Sequence, residues 1–166
     1  MPGEARTRSF AVCAALALAF LAGEAAADDI DLGTDPDLFV QGFVELGGHL
    51  PPPNVFGFNQ VTVTQDGSSN NAIVTQYGGY NDVRASQTGN GNVAALVQFG
   101  VYNTINLTQV GNANEALIGQ AGANNNATVT QNGMANLAYI LQIGNGLNVS
   151  VTQNGNNQVA RVVQRN

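Results

Sequence analysis

A glutamine recurs every eleven residues through most of the chain, and this period constrains the fold more than any other feature. The series consists of Gln65, Gln76, Gln87, Gln98, Gln109, Gln120, Gln131, Gln142, Gln153 and Gln164. Glycine lies two places after each of the first nine, at Gly67, Gly78, Gly89, Gly100, Gly111, Gly122, Gly133, Gly144 and Gly155. Asparagine ends the resulting frame, Q-x-G-x-x-N, at Asn70, Asn81, Asn92, Asn103, Asn114, Asn125 and Asn136, and the pattern extends upstream through Asn59, with Asn54 where a glutamine would be. The frame then loosens, because Leu147 and Gln158 occupy the next two asparagine positions. A fixed internal period indicates a chain built from stacked repeats.

Between each frame asparagine and the next glutamine lie five residues whose polarity alternates. The second and fourth are apolar in every copy, from Val61 and Val63 in the first to Ala160 and Val162 in the last. Such alternation is typical of a β-strand with one buried face. The glutamines and asparagines share the parity of the apolar residues, so we expect them to point inward and to bond to their copies above and below. The stretch between strands is typical of a turn, in which glycine adopts positive φ and asparagine tolerates it.

The outward positions of the strands show that the true period is 22 residues. On alternate strands these positions are polar, as at Asn148, Ser150 and Thr152. On the others most are apolar, and they include Ile73, Val93, Val97, Leu117, Leu137, Tyr139, Leu141, Val159 and Val163. Two strands of about five residues therefore make one coil, and five coils predict an all-β fold, a β-solenoid with two parallel sheets. One sheet would face water, and the other would present an apolar outer face.

Amide side chains are abundant, with 22 Asn and 13 Gln among 166 residues. This composition is typical either of disordered, aggregation-prone chains or of ordered amide stacks, and the strict period favours the stack. Acidic residues concentrate before the repeats, whereas residues 59–166 contain three acidic and three basic side chains. A neutral repeat region does not repel copies of itself, and it lacks the basic surface that binds nucleic acid.

The N-terminal region has the pattern of a secretory signal peptide. Arg6 and Arg8 precede an apolar stretch too short to span a membrane, and small residues mark a cleavage site at the end of 1–27. The single cysteine, Cys13, lies inside this segment, so the mature chain is expected to contain no disulfide. We therefore predict a secreted protein with three parts: the signal peptide (1–27), an acidic non-repeating leader (28–53) and the repeat domain (54–166).

The frame resembles the repeat of the curlin family, the subunits of bacterial curli, which are secreted functional amyloids. That repeat has the form S-x5-Q-x-G-x2-N-x5-Q, and residues 54–164 are similar to it throughout, as in NDVRASQTGNGNVAALVQ and NATVTQNGMANLAYILQ. The chain departs from it where the family often has serine, since Asn59, Asn81, Asn103 and Asn125 stand at that position. Both residue types have short hydrogen-bonding side chains, so the departure hardly disturbs the resemblance.

The resemblance implies a structural subunit of a fibre at the cell surface, acting in adhesion and biofilm matrix. Its implied partners are copies of itself, a second curlin subunit, and an outer-membrane export pore with its accessory proteins. The leader, 28–53, would be the segment that the export machinery recognises. Curli-like systems contain a major polymerising subunit and a minor nucleating one. The apolar outer strands and the arginine-bearing end of this chain favour the minor subunit.

The ends of the predicted solenoid suggest how it would assemble. Uncapped ends expose strand edges, here 60–64 and 159–163, and such edges template pairing with further strands. The last strand, with Arg161 and Arg165, is the candidate templating end. The charged residues Asp66, Asp82, Arg84 and Glu115 are candidate gatekeepers, which slow premature pairing.

Other functions find less support in the sequence. Outward Thr-x-Thr pairs, such as Thr62 with Thr64, are typical of ice-binding β-solenoids, but Asp82, Arg84 and Asn106 interrupt the threonine rows. An ice-binding or other surface-binding solenoid is therefore the alternative. The single histidine, His49, lies in the leader beside three prolines, and no Cys/His metal site is possible in the mature chain. We thus predict no enzyme, no catalytic or metal site, no cofactor and no nucleic-acid partner.

Overall fold

The computed structural model describes residues 57–166, and they consist of β-strands joined by short turns. The strands are β1 (Gln60–Ser68), β2 (Asn71–Gly79), β3 (Asp82–Asn90), β4 (Val93–Val101), β5 (Thr104–Asn112), β6 (Glu115–Ala123), β7 (Asn126–Met134), β8 (Leu137–Asn145), β9 (Asn148–Asn156) and β10 (Val159–Arg165). The described part of the chain contains no helix that could cross a membrane. The predicted signal peptide (1–27) and leader (28–53), and residues 54–56 of the predicted repeat domain, lie outside the described residues.

The strands form two parallel sheets. Sheet A has the order β1-β3-β5-β7-β9, and sheet B has the order β10-β8-β6-β4-β2. Neighbouring strands pair in register at a spacing of 22 residues, so that Gln87 lies opposite Gln109 in sheet A and Gln98 opposite Gln120 in sheet B. The chain therefore alternates between the sheets, and two strands with two turns make one coil. The predicted all-β solenoid of five coils is confirmed.

The hydrophobic core lies between the two sheets and consists of the inward residues of the strands. Its buried members are Val83, Ala85, Ala94, Leu96, Ile105, Leu107, Ala116, Ile118, Ala127, Val129, Ala138, Ile140 and Val149. At the N-terminal end, by contrast, the inward residues Val61 and Val63 are 48% and 40% exposed. These two side chains remain accessible because β1 has a neighbouring strand on one side only.

The strands are longer than the alternation of the sequence predicts. Nine of them contain nine residues, because the glutamine, the glycine and their neighbours also pair in register with the next coil. Gly67, for example, lies opposite Gly89 as part of the ladder between β1 and β3. Most of the stretch that the sequence assigns to a turn is therefore strand, and two residues separate one strand from the next.

The sharp turn lies at the residue before each corner position, which is the position of the frame asparagine and is occupied by Leu147 and Gln158 in the last coil. This residue has a φ between 54° and 68° in all nine turns, at Ser69, Tyr80, Gly91, Tyr102, Ala113, Asn124, Ala135, Gly146 and Asn157. The sequence analysis expects the frame asparagines to adopt positive φ, and this is wrong. The residue that precedes each of them adopts it instead. Residues other than glycine cost about 1–2 kcal/mol in this conformation. The stacked coils impose it on several residue types nonetheless.

The frame glycines are needed both for their backbone conformation and for the close approach of successive coils. All nine have φ between 105° and 138°, as the sequence predicts for glycine in this frame. A Cβ on Gly89 would overlap the carbonyl oxygen of Gly111, and the same overlap recurs at interior positions along two glycine columns. Gly91 differs, because it has a φ of 67° but open space around it.

We predict that Gly89→Ala destabilises the solenoid much more than Gly91→Ala. The Gly91 substitution introduces only backbone strain, about 1–2 kcal/mol. The Gly89 substitution adds an overlap with backbone that cannot move without separating two coils, and it should cost roughly 3–5 kcal/mol. Urea unfolding of the dilute monomer measures both free energies. Equal losses would show that the glycine columns do not limit the stacking distance.

Candidate functional site: the amide ladders and the ends of the solenoid

The frame glutamines form two ladders along the solenoid axis, one in each sheet. Gln109 is fully buried, and its Nε2 donates to Gln131 Oε1 at 2.8 Å and to the backbone oxygen of Val93 at 3.1 Å. Gln87 Nε2 in turn donates to Gln109 Oε1 at 2.8 Å. The same side-chain bond joins successive glutamines from Gln65 and Gln76 to the far end of each ladder. Each buried amide is thus satisfied by its copies and by the opposite strand.

The frame asparagines form corresponding ladders at the corners of the coils. Asn103 Nδ2 donates to Asn81 Oδ1 at 3.0 Å and to the backbone oxygen of Gly122 at 3.0 Å. The backbone nitrogen of Asn103 donates to the same Oδ1 of Asn81 at 3.0 Å. The interior asparagines Asn81, Asn92, Asn103, Asn114, Asn125 and Asn136 are all buried. Each one therefore connects its turn to the coil before it and to the glycine column of the coil after it.

The two kinds of ladder point in opposite directions along the axis. Glutamine side chains donate toward the C-terminal end, as Gln87 does to Gln109. In the bonds between asparagine side chains, the donor points toward the N-terminal end, as Asn103 does to Asn81. The N-terminal end of the solenoid consequently presents glutamine acceptors, and the C-terminal end presents glutamine donors. The two ends are chemically different and mutually complementary.

Each end of the solenoid exposes two strands that have a hydrogen-bonded neighbour on one side only. They are β1 and β2 at the N-terminal end and β9 and β10 at the C-terminal end. The prediction of one edge strand at each end, 60–64 and 159–163, is therefore incomplete, because both sheets stop at each end. β1 is exposed along its whole length. Arg161 and Arg165, the predicted templating residues, are exposed on β10.

The outer face of sheet A is polar and open to solvent, as predicted. Its central column consists of Thr62, Arg84, Asn106, Thr128 and Ser150. Arg84 forms an ion pair with Asp82 at 2.8 Å, so these two candidate gatekeepers neutralise each other on one strand. Asp66 is exposed near the end of β1, and Glu115 begins β6 in sheet B. The threonine rows are broken in space as they are in sequence.

The outer face of sheet B is apolar, but its centre is buried rather than exposed. Leu117, Tyr139 and Leu141 are only 4%, 7% and 4% exposed, whereas Ile73 and Val159 near the ends are 45% and 73% exposed. Stacking in register places Tyr139 between Leu117 and Arg161, which shields it along the column. Burial raises the pKa of the Tyr139 phenol above its usual range, although the nearby Arg161 charge lowers it. The predicted apolar outer face is therefore present, but it is open to solvent near its ends and buried at its centre.

Aromatic side chains stack between coils at positions that the sequence analysis does not single out. The rings of Tyr80 and Tyr102 are parallel, with centroids 4.9 Å apart and an interplanar angle of 5°. Tyr77 and Phe99 contact each other at 6.2 Å with tilted rings. Both pairs are separated by 22 residues, so the coil period itself is the signal that predicts them.

The chemistry available to this arrangement is hydrogen bonding and stacking. Within residues 57–166, no group of three or more His, Cys, Asp or Glu side chains could hold a metal ion. The polar side chains that the coils bury are amides in ladders, and these bond to other amides and to the backbone. The features that remain open to a partner are the strand edges and the terminal amides.

We predict that Gln109→Glu strongly destabilises the solenoid at neutral pH. The substitution keeps the shape but replaces a donor by a buried carboxylate facing Val93 O and Gln131 Oε1, which should cost roughly 3–5 kcal/mol. Burial raises the pKa of this carboxyl, so stability should partly return as the pH falls and the carboxyl regains a proton. Denaturant unfolding at pH 7 and pH 4 tests this. Thr108→Glu, on the outward face beside it, is the matched control and should change stability little.

Comparison with known proteins identifies the repeat. A family model described as the curlin associated repeat matches residues 59–88, 80–110, 102–133 and 122–155. The matches run from residue 59 to residue 155, which is more than half of the 166-residue chain. No curated protein and no solved structure gives a significant match. The matched segments contain the Q-x-G-x-x-N frame whose amides and glycines build the ladders and columns, and the chain belongs to the curlin family.

Proposed function

We propose that this chain is a structural subunit of a curli-type fibre that grows by addition of strands at the ends of the solenoid. Curlin repeats and the β-solenoid fold are structural rather than enzymatic. The observation that carries the proposal is that, within the described residues, both sheets end at both ends of the stack in strands that pair on one side only. The free edge of such a parallel strand templates the pairing of a further strand in the same register.

The terminal glutamines favour a head-to-tail arrangement of copies. At the N-terminal end, the Oε1 atoms of Gln65 and Gln76 occupy the position that accepts a bond in every later coil. At the C-terminal end, Gln153 and Gln164 donate to backbone oxygens of the opposite strand and have a second N–H for a following coil. Two N-terminal ends would bring acceptor against acceptor. The fibre we propose therefore stacks the C-terminal end of one subunit on the N-terminal end of the next.

Apolar burial would stabilise the same arrangement. Val61 and Val63 point inward from β1 but are 48% and 40% exposed, since no strand among residues 57–166 covers them at the N-terminal end. Stacking a further coil on β1 and β2 would remove these side chains from water, and apolar area stabilises by about 25 cal/mol for each Å² that is buried. The repeat region adds little charge repulsion, because residues 59–166 contain equal numbers of acidic and basic residues.

We further propose a place for this polymer at the cell surface. The curlin family implies an extracellular fibre, and the predicted signal peptide supports export. In this proposal the leader (28–53) is recognised by an outer-membrane pore and its accessory proteins, and the fibre serves adhesion and biofilm matrix. Asp66, Asp82, Arg84 and Glu115 slow premature pairing during transit. The minor, nucleating rank remains a prediction from the apolar strands of sheet B, and on charge alone β10 with Arg161 and Arg165 is its templating end.

We predict that the purified mature chain polymerises into cross-β fibres. Fibre diffraction should show reflections at about 4.8 Å and about 10 Å, from strand spacing and sheet spacing. The fibres should bind amyloid dyes, and fragments of them should shorten the lag of a second curlin subunit. Sedimentation that finds only a soluble monomer at high concentration would refute the polymer.

We also predict that lysines on the inward face of β1 block assembly. The double variant Val61→Lys and Val63→Lys places charges where a further coil would stack, and such buried charges would lack partners. The fold of the monomer should survive, because both side chains are already partly exposed. The matched control, Thr62→Lys with Thr64→Lys, adds the same charges on the outward face of the same strand and should slow assembly less. Dye-binding kinetics compare the two, and equal rates would contradict end-to-end stacking.

A further inference from the structure

The last coil of the solenoid departs from the frame at three of its four corner positions. Leu147 and Gln158 stand where interior coils have asparagine, and Asn166 stands where they have glycine. Gly155 alone keeps the frame residue. The corresponding positions at the N-terminal end are intact, with Asn59 and Asn70 at the corners and Gly67 and Gly78 in the columns. The bonds of the interior coils show what these departures remove.

A leucine at position 147 removes an acceptor that every interior coil supplies. Asn114 Oδ1, for example, accepts from both the backbone nitrogen and Nδ2 of Asn136, at 3.2 Å and 3.1 Å. In the last coil, the backbone nitrogen of Leu147 still donates to Asn125 Oδ1 at 3.0 Å, but its side chain has no oxygen for a following coil. A second copy stacked there would bury the backbone nitrogen and amide of its Asn59 without this partner. An unpaired buried donor opposes stacking.

Gln158 replaces the asparagine at the second corner of the last coil. Its backbone nitrogen donates to Asn136 Oδ1 at 3.0 Å, as an asparagine there would. Its Nε2 donates to the backbone oxygen of Asn154 at 3.1 Å, a bond of the kind that Asn114 makes to the backbone oxygen of Val110 at 3.4 Å. Gln158 thus keeps the donor of an interior corner, and the departure at this position is the longer side chain.

Asn166 stands in the glycine column of sheet B. In interior coils each glycine of this column leaves room for the carbonyl oxygen of the next, and a Cβ would overlap it. Asn166 carries a side chain at this column position, and the side chain contacts the preceding coil. Its Nδ2 donates to the backbone oxygen of Asn145 at 2.8 Å, and its Oδ1 accepts from the backbone nitrogen of Asn145 at 2.9 Å. A glycine at this position would restore the frame of the column.

The described residues of the N-terminal end show none of these departures from the frame. Asn59 Nδ2 donates to the backbone oxygen of Gly78 at 3.2 Å, and Asn70 Nδ2 donates to that of Gly89 at 2.9 Å, as interior asparagines do. In later coils the backbone nitrogen and Nδ2 of the corner asparagine also donate toward the preceding coil. Asn59 and Asn70 hold the same position, so they direct donors at whatever stacks on this end.

We propose that the C-terminal end of this chain adds a second copy of itself much more slowly than an intact frame would, and that its N-terminal end is the preferred assembly end. The partner that fits the N-terminal end is a different curlin-repeat chain whose last coil has asparagine at both corners and glycine in both columns. Such a coil supplies the Oδ1 acceptors that Asn59 and Asn70 lack, together with the space that Gly67 and Gly78 require. This inference rests on the proposed polymerisation. It assigns the templating end to β1 and β2 rather than to β10.

Repairing the last coil tests the proposal. The triple variant Leu147→Asn, Gln158→Asn and Asn166→Gly restores the frame at all three positions. It should elongate fragmented fibres of the same variant at least about tenfold faster than the wild-type chain does, because the acceptors that the corner asparagines of a following copy need are restored at the junction. A control with Ser150→Asn and Thr152→Asn adds amides to the same coil on its outward face and should elongate like the wild type. Equal elongation by wild type and triple variant would overturn the proposal.

A second measurement locates the disfavoured end. Gold-labelled wild-type chain, added in small amounts to the growing triple variant, should appear mainly at one end of each fibre in electron micrographs. It can add its intact N-terminal end to the repaired C-terminal end of the variant, after which growth there slows. Label distributed evenly along the fibres would contradict a disfavoured C-terminal end.

A third variant keeps the test decisive if the triple variant fails to fold, which circular dichroism would show. Asn59→Leu with Asn70→Gln transfers the departures of the last coil to the N-terminal end of the wild-type chain. This chain should lose the ability to seed a curlin-repeat monomer with asparagine at both corners of its last coil, such as the wild-type chain with Leu147→Asn and Gln158→Asn. Undiminished seeding would overturn the proposal. If no chain with intact ends polymerises at all, the polymer itself is wrong, whereas polymerisation of every chain at one rate contradicts only the disfavoured C-terminal end.

Discussion

The structure depends on the hydrogen bond between a buried carboxamide and its copy one coil away. A glutamine side chain inside a thin apolar core requires a donor and an acceptor, and an unpaired buried amide is costly. Gln109 finds its acceptor in Gln131 and its donor in Gln87, each one coil away. Any insertion between two glutamines would separate these partners. The strict period of the sequence is therefore a consequence of the need to satisfy the buried amides of the frame.

The same requirement explains why the frame repeats every eleven residues although the coil contains 22. Both sheets contribute inward residues to one core, so both need the same amides and the same small or branched apolar side chains. The outward positions do not share this constraint, and they differ between the sheets. Thr128 and Tyr139 occupy corresponding outward positions in two strands that follow each other in sequence and lie in different sheets. Thr128 lies on the polar face, whereas Tyr139 is buried on the apolar face.

The sequence predicts the parts of the fold that repeat with one residue type. The inward positions of Gln109 and Val129 follow correctly from the sequence, because parity and spacing determine whether a side chain points inward. The left-handed turn residues were missed, because Ser69, Tyr80 and Ala113 share no side-chain property. Their conformation follows from stacking, which no single residue reveals. The burial of Leu117 and Tyr139 was missed for a related reason: alternation gives the direction of a side chain but not what surrounds it.

The polarity of the ladders could not be predicted from the sequence either, because a carboxamide both donates and accepts. Only the atoms show that glutamine donates toward one end and asparagine toward the other. This opposition has a physical consequence for the ends. A ladder residue in an interior coil serves the fold on both of its sides, so its replacement damages the monomer. A residue in the last coil has one neighbouring coil within the monomer, and its other side serves only assembly. Substitutions such as Leu147 and Gln158 can therefore alter the contact between subunits while the interior ladders, and with them the fold, stay intact.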